Sequence, residues 1–227
     1  MMTFYSAVGS YEMRVENGRQ MPYILRMGRL EPISIPEFVI WSHLLWEVEP
    51  YEEIKAYYQQ QSKKIGARLP DFDQGLKMLV RRKLVAKGIG YTGEDALYDM
   101  LSAAFVMPIR FLGGKKLGTV IRMLLKGRIK IREAAMILKP DQMTPDERRV
   151  IGLIRQTPLS VSELIRCFDN KVTDVRTPDK VIAAIYTDDD DDQERIKLVS
   201  RQSEHRTQVL QATANLYLRH RVMLDMA

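Results

Sequence analysis

The sequence predicts a mostly α protein: a three-helix module, then a second, smaller helical module, then a long C-terminal helix. Three observations carry this. Apolar residues recur at helical spacing over much of the chain. Helix starts are written out at Pro36, at Thr144-Pro145-Asp146-Glu147 and at Thr177-Pro178-Asp179. The chain has 227 residues, 45% of them hydrophobic and 28% charged, which is enough for one large or two small folded domains.

Residues 1–33 read as an N-terminal extension. Asn17-Gly18 is a tight-turn signal, and Val15 before it with Tyr23, Ile24 and Leu25 after it predict a short hairpin. The module proper spans 34–107. Pro36 suits the first turn of a helix whose apolar face is Phe38, Ile40, Trp41, Leu44 and Leu45. A second helix starts near Pro50, with Glu52 and Glu53 in its first turn, where negative charge suits the helix dipole. A third runs from about Asp71, with Phe72, Leu76, Leu79 and Val80 as its buried stripe. Leu84 to Gly90 predicts a short strand ending in a glycine turn, and Ala96, Leu97, Met100, Leu101 and Ala104 line a further helix.

Residues 108–142 read as a basic helical linker: Arg110, Lys115, Lys116, Arg122, Lys126, Arg128, Lys130 and Arg132 occur there with no acid from 110 to 132. Residues 143–227 form the second module. Thr144 with Glu147, and Ser160 with Glu163, are capping-box pairs. Arg195-Ile196-Lys197-Leu198-Val199 reads as a strand, and 202–225 as the long final helix, with Val209, Leu210, Leu216, Tyr217, Met223 and Leu224 on one stripe.

The order of elements over 36–91 resembles the winged helix-turn-helix of bacterial transcriptional regulators. The likeness rests on Tyr51-Glu52-Glu53-Ile54 in the second helix and on Phe72 to Val80 in the third. It also rests on Arg81-Arg82-Lys83-Leu84-Val85-Ala86-Lys87-Gly88, a basic helix end running into a strand. The resemblance covers about a quarter of the chain. It implies a DNA-binding domain whose third helix enters the major groove. The wing it implies, Gly88 to Gly93, is short and carries little charge.

The residues agree with that reading on physical grounds. The third helix carries Gln74, Lys77, Arg81 and Arg82 off its apolar stripe, and long donors there suit the acceptors on base edges. Lys63, Lys64 and Arg68 lie in the approach to the helix and Lys87 follows it, where phosphate contacts set register. The expected partner is double-stranded DNA and the expected role is transcriptional regulation; the competing role is a protein-interaction or scaffold module. The basic linker extends the phosphate footprint or pairs with the acidic run Asp188 to Asp192. Tyr51, Tyr57, Tyr58, Trp41 and Trp46 line an effector pocket or fill the core. A homodimer is expected through the apolar stripe of 202–225, because two-fold regulators read two half-sites.

Other chemistry is weakly supported. Lys and Arg number 35 against 29 Asp and Glu, a net charge of +6 that suits phosphate, anionic membrane or plain solubility. Gly113-Gly114-Lys115-Lys116 lacks the P-loop spacing and its Ser or Thr. Asp188 to Asp192 lacks the alternation of a calcium loop. His43, His205 and His220 are scattered, and no nucleophile–base pairing stands out, so neither an enzyme nor a cofactor is expected. Cys167 is the single cysteine, in an apolar helical context that predicts a small buried hydrophobe. A lone cysteine, no charged leader before an apolar block at Met1 to Gly28, and no apolar run near the roughly 20 residues that span a bilayer predict a cytoplasmic protein.

Overall fold

The structure is a computed structural model, which describes residues 1–16, 18–65, 71–109, 142–186 and 192–226. Those residues are 51% helical and 24% strand, with three small antiparallel sheets, so the fold is α+β and not mostly α. Arg68, the basic linker expected over 108–142 apart from residues 108, 109 and 142, and all of the acidic run but Asp192 lie outside the described residues.

The first sheet is the main source of that correction. Strand β1 (Met2–Ala7) belongs to no extension; it is the middle strand of the order β5-β1-β6, between β5 (Glu49–Pro50) and β6 (Val85–Gly90). Between β1 and the first helix lies a second sheet, β2 (Ser10–Glu16), β3 (Arg19–Arg26) and β4 (Arg29–Pro32). On the first sheet pack α1 (Ile35–His43), α2 (Tyr51–Ile65) and α3 (Phe72–Arg81). Their core holds Tyr5, Ile24, Ile40, Trp41, Leu44, Ile54, Phe72, Leu76 and Leu79, and the Trp41 indole donates to the Val8 carbonyl at 3.1 Å. No wing follows β6. The chain turns at Tyr91-Thr92 and enters α4 (Gly93–Ser102) directly; the strand beside β6 is β1, which comes from before the helices.

The second half is built to the same plan. It contains β7 (Phe105–Pro108), α5 (Pro145–Ile154), β8 (Leu159–Ser160), α6 (Val161–Asp169), α7 (Pro178–Ile185), α8 (Gln193–Arg201), α9 (Arg206–Leu218) and β9 (Val222–Asp225). Its sheet has the order β8-β7-β9. In the first sheet Phe4 lies opposite Pro50 and Gly88, and Tyr5 opposite Glu49 and Lys87. In the second, Phe105 lies opposite Ser160 and Asp225, and Val106 opposite Leu159 and Leu224. The register is therefore common to both.

The helices follow suit. Ser34 with Glu37 and Thr144 with Glu147 form complete capping boxes on α1 and α5. Buried Ile40, Trp41 and Leu44 correspond to buried Val150, Ile151 and Ile154, and Ile54 and Tyr58 to Leu164 and Phe168. Both α3 and α9 stop on a left-handed residue, Lys83 at φ 57° and His220 at φ 56°. Both send the next amide back to a buried leucine carbonyl: Leu84 to Leu79 at 2.9 Å, and Arg221 to Leu216 at 2.8 Å. Among the described residues the first half adds the β2–β4 sheet before α1, and the second adds α7 and α8 before α9.

Two sequence expectations fail in this half. Residues 195–199 are not a strand; they lie in α8, with Ile196 buried and Leu198 exposed. Nor is 202–225 one long helix, because the left-handed turn at His220 ends α9 and releases β9.

Helix α4 joins the halves. A Cβ on Gly88 would sit 2.1 Å from the Ala96 carbonyl oxygen, and one on Gly90 2.3 Å from the Ala96 nitrogen, so these bare positions let α4 lie directly on β6. Tyr98, Met100 and Leu101 of α4 belong to the second core, which reaches Val8 and Ala86 of the first sheet. Polar contacts complete the joint. Arg206 of α9 reaches Asp95 of α4 at 2.7 Å, Tyr217 shares a hydrogen bond with Ser6 at 2.8 Å, and the Gly9 amide donates to the Leu224 carbonyl at 2.8 Å.

Candidate nucleic-acid interface

Helix α3 begins at Asp71, whose side chain accepts from the Asp73 amide at 3.1 Å. Its stripe Phe72, Leu76 and Leu79 is buried, and Gly75 faces Ile40, bringing α1 and α3 close. That phase turns Gln74, Lys77 and Arg81 outward, all exposed, along one side of the helix. Lys63 and Lys64, in the last turn of α2, are exposed as well. Lys87 is the exposed residue of β6, where the pleat alternates it against buried Ala86 and Gly88.

Lys77 and Lys87 meet at one cleft of about 210 Å³, lined also by Tyr5, Tyr51, Asp73, Leu76 and Val80. At its edge the Tyr51 hydroxyl donates to Asp73 and receives a bond from Lys55 Nζ at 3.1 Å. Those contacts hold the Lys55 ammonium above its ordinary pKa, chiefly through the Tyr51 oxygen. Asp73 is thereby tied to Lys55 and Tyr51. None of the ion pairs among the described residues involves Lys77, Arg81 or Lys87.

Arg82 stands apart from this group. It turns back on the fold, donating to the Pro32 carbonyl at 2.5 Å and facing Glu31 at 3.6 Å and Glu37 at 3.7 Å. It holds β4 and α1 against the end of α3, so among the described contact residues it is the one committed to structure. Lys83, absent from the expected set, is exposed one residue later.

The aromatic residues converge on no single pocket. Trp41 and Tyr58 are core, Tyr57 stacks on His43 at 3.6 Å, and Trp46 stacks on His220 at 4.8 Å. Of these five, Tyr51 lines the Lys77–Lys87 cleft, and Tyr58 lines another along α3 with Gln74, Gly75 and Met78.

No protein-family model, curated protein or solved structure matches this chain.

The corresponding face of α9 is different. Gln211 occupies the place of Gln74, but Ala214 and Leu218 stand where Lys77 and Arg81 do. With Tyr217 they line an apolar cleft of about 270 Å³ against Phe4, Val48, Leu97 and Leu101 of the first half and α4. The stripe expected to make a dimer seam is spent within the fold: Val209, Leu210, Leu216, Tyr217 and Leu224 are buried inside the chain, where α9 packs mainly on α5 and α6 and also meets β9 and α4.

Elsewhere Asp169 accepts from Ser203 Oγ at 2.6 Å and lies 2.8 Å from His205 Nδ1. Hydroxyl and imidazole share one carboxylate oxygen, so the group fixes the turn between α8 and α9 and aligns no proton relay. Cys167 is buried, and desolvation pushes its thiol up to about 12, far from thiolate chemistry at neutral pH. Among the described residues no group of three or more His, Cys, Asp and Glu could hold a metal, and no helix is long and apolar enough to cross a membrane.

Proposed function

We propose that this protein is a sequence-specific DNA-binding regulator that presents α3 to the major groove of double-stranded DNA. The observation that carries the reading is the outward row Gln74, Lys77 and Arg81 on the exposed face of α3, flanked by Lys63, Lys64 and Lys87. Guanine offers two acceptors to an Arg or Lys, adenine an acceptor and a donor to Gln, and the flanking lysines suit phosphates. With no wing beside β6, base contacts fall to α3 alone. The test is binding of the purified protein to duplex DNA across a salt series. Affinity that falls linearly in log–log form as phosphate neutralisation displaces counterions supports the reading. A folded protein that binds no duplex at about 50 mM salt overturns it.

One observation favours a second reading, a protein-interaction module. The face of α9 that corresponds to the Lys77–Arg81 face of α3 is used within this chain to meet other protein, through Ala214, Tyr217 and Leu218. The same plan can therefore serve protein docking. Charge supports the first reading: the α9 face is apolar and the α3 face cationic.

A further inference from the structure

We propose that β2 pairs with β2 of a second copy of this chain, antiparallel and centred on Met13, to make a two-fold dimer. Strand β2 is an edge strand, bonded to β3 on one side only among the described residues. Its register with β3 runs unbroken from Ser10 opposite Leu25 to Glu16 opposite Arg19. It is seven residues long and carries neither a proline nor a bulge, the usual protections of an exposed edge.

Every residue from Tyr11 to Glu16 is exposed, and Tyr11, Met13 and Val15 stand 52%, 42% and 71% in solvent on one face. The ribbon is held in shape by side-chain contacts within it and to α1. Tyr11 packs 5.6 Å from the Phe38 ring, Arg14 lies 5.8 Å over the Tyr23 ring, and Tyr23 donates to Glu16.

The occupant is a second copy because the strand is complementary to itself. Pairing centred on Met13 sets Tyr11 against Val15, Met13 against Met13 and Glu12 against Arg14. The Met13 pair sits on the axis and the other two oppositions occur twice across it, apolar on one face and of opposite charge on the other. Main-chain geometry agrees. The two-residue connection makes Glu16 and Arg19 a hydrogen-bonded pair, and such pairs alternate along an antiparallel ladder. Tyr11, Met13 and Val15 therefore turn their N–H and C=O groups outward, and the centred register joins them in about six main-chain hydrogen bonds. The seam adds three strands of one copy to three of the other.

The test is sedimentation of the DNA-free protein over a concentration series, so its outcome is independent of any nucleic-acid binding. The wild type sediments as a dimer. Met13→Pro raises the dimer dissociation constant by about tenfold or more, through lost main-chain bonds, with the circular dichroism spectrum unchanged. Glu12→Arg weakens the dimer, and adding Arg14→Glu restores it. Met13→Cys cross-links across the axis under oxidation; the native Cys167 is buried and does not compete. A wild type monomeric at its highest soluble concentration overturns the proposal. So does a dimer indifferent to Met13→Pro, or a folded Met13→Cys that never cross-links. A monomer that loses duplex affinity on Arg14→Ala also overturns it and assigns the ribbon to nucleic acid.

Discussion

Arg219, at the end of α9, holds the fully buried carboxylate of Glu147 at 3.2 Å, and Arg82, at the end of α3, faces Glu37 in the corresponding place at 3.7 Å. In each half the glutamate closes a capping box and the arginine ties the third helix to the first. The two pairs differ in burial. Removing Arg219 leaves a charge in the core, whereas Glu37 keeps some solvent. Arg219→Ala is expected to cost about 2–3 kcal/mol and Arg82→Ala about 1 kcal/mol, measured by urea unfolding. Equal losses would show that the pairs are not energetically distinct.

The joint between the halves responds to acid. Arg206 and Thr92 hold the Asp95 carboxyl at about 2, below its ordinary value. A depressed carboxylate pKa stabilises the fold above its unfolded value, near 4, and that contribution is lost as pH falls towards 2. Wild type should therefore lose more stability between about pH 4 and pH 2 than Asp95→Asn does. Urea midpoints at those two pH values measure it, and parallel losses would count against the pair.

Helix α3 separates recognition from stability. Lys77→Ala and Arg81→Ala remove exposed cations, so each should weaken duplex binding by about 1–3 kcal/mol while the thermal midpoint stays put. Arg82→Ala should do the reverse, lowering stability more than affinity. Fluorescence anisotropy with a thermal melt distinguishes the patterns; unchanged affinity in the Lys77→Ala, Arg81→Ala double variant would turn α3 away from DNA.

Gly88→Ala drives a methyl into the Ala96 carbonyl and should cost about 3 kcal/mol or more, by prising α4 off β6. Gly152→Ala, in α5 with nothing within 4 Å of the added carbon, should stabilise by about 0.5–1 kcal/mol. Thermal melts of the two variants should shift in opposite directions.

The helices and their starts were legible because they are local events. Thr144 and Ser160 cap helices beside the glutamates that identify them, Pro36 marks the first turn of α1, and the Phe72, Leu76, Leu79 spacing sets the phase of α3. The outward cations of α3 followed from that phase. The hairpin about Asn17-Gly18 and the strand over Leu84 to Gly90 were legible too, as β2 with β3 and as β6, but the other strands were not. Glu49–Pro50 and Leu159–Ser160 are two residues each, too short for a period, and Met2–Ala7 gains its place from partners far along the chain. The end of α9 was hidden because the residue at its left-handed turn is His220, not Gly or Asn, and apolar Val222 and Leu224 continue the helical stripe by type. Arg82 reads like its basic neighbours; only the folded approach of Glu31 and Glu37 withdraws it from the surface.

The placing of β1 and β7 has a consequence for the order of folding. Each is the middle strand of its sheet, yet each precedes both of its partners in the chain. A ribosome making this protein delivers the centrepiece first and its flanks last, so neither sheet can close until β6, and then β9, has emerged. Closing such long loops is slow, and the waiting strands are open to mispairing. Chains stalled just before Val85 should be degraded by added protease over Met2–Ala7, and chains stalled well beyond Gly90 should resist. Equal resistance would mean that the first half gains its order by another route.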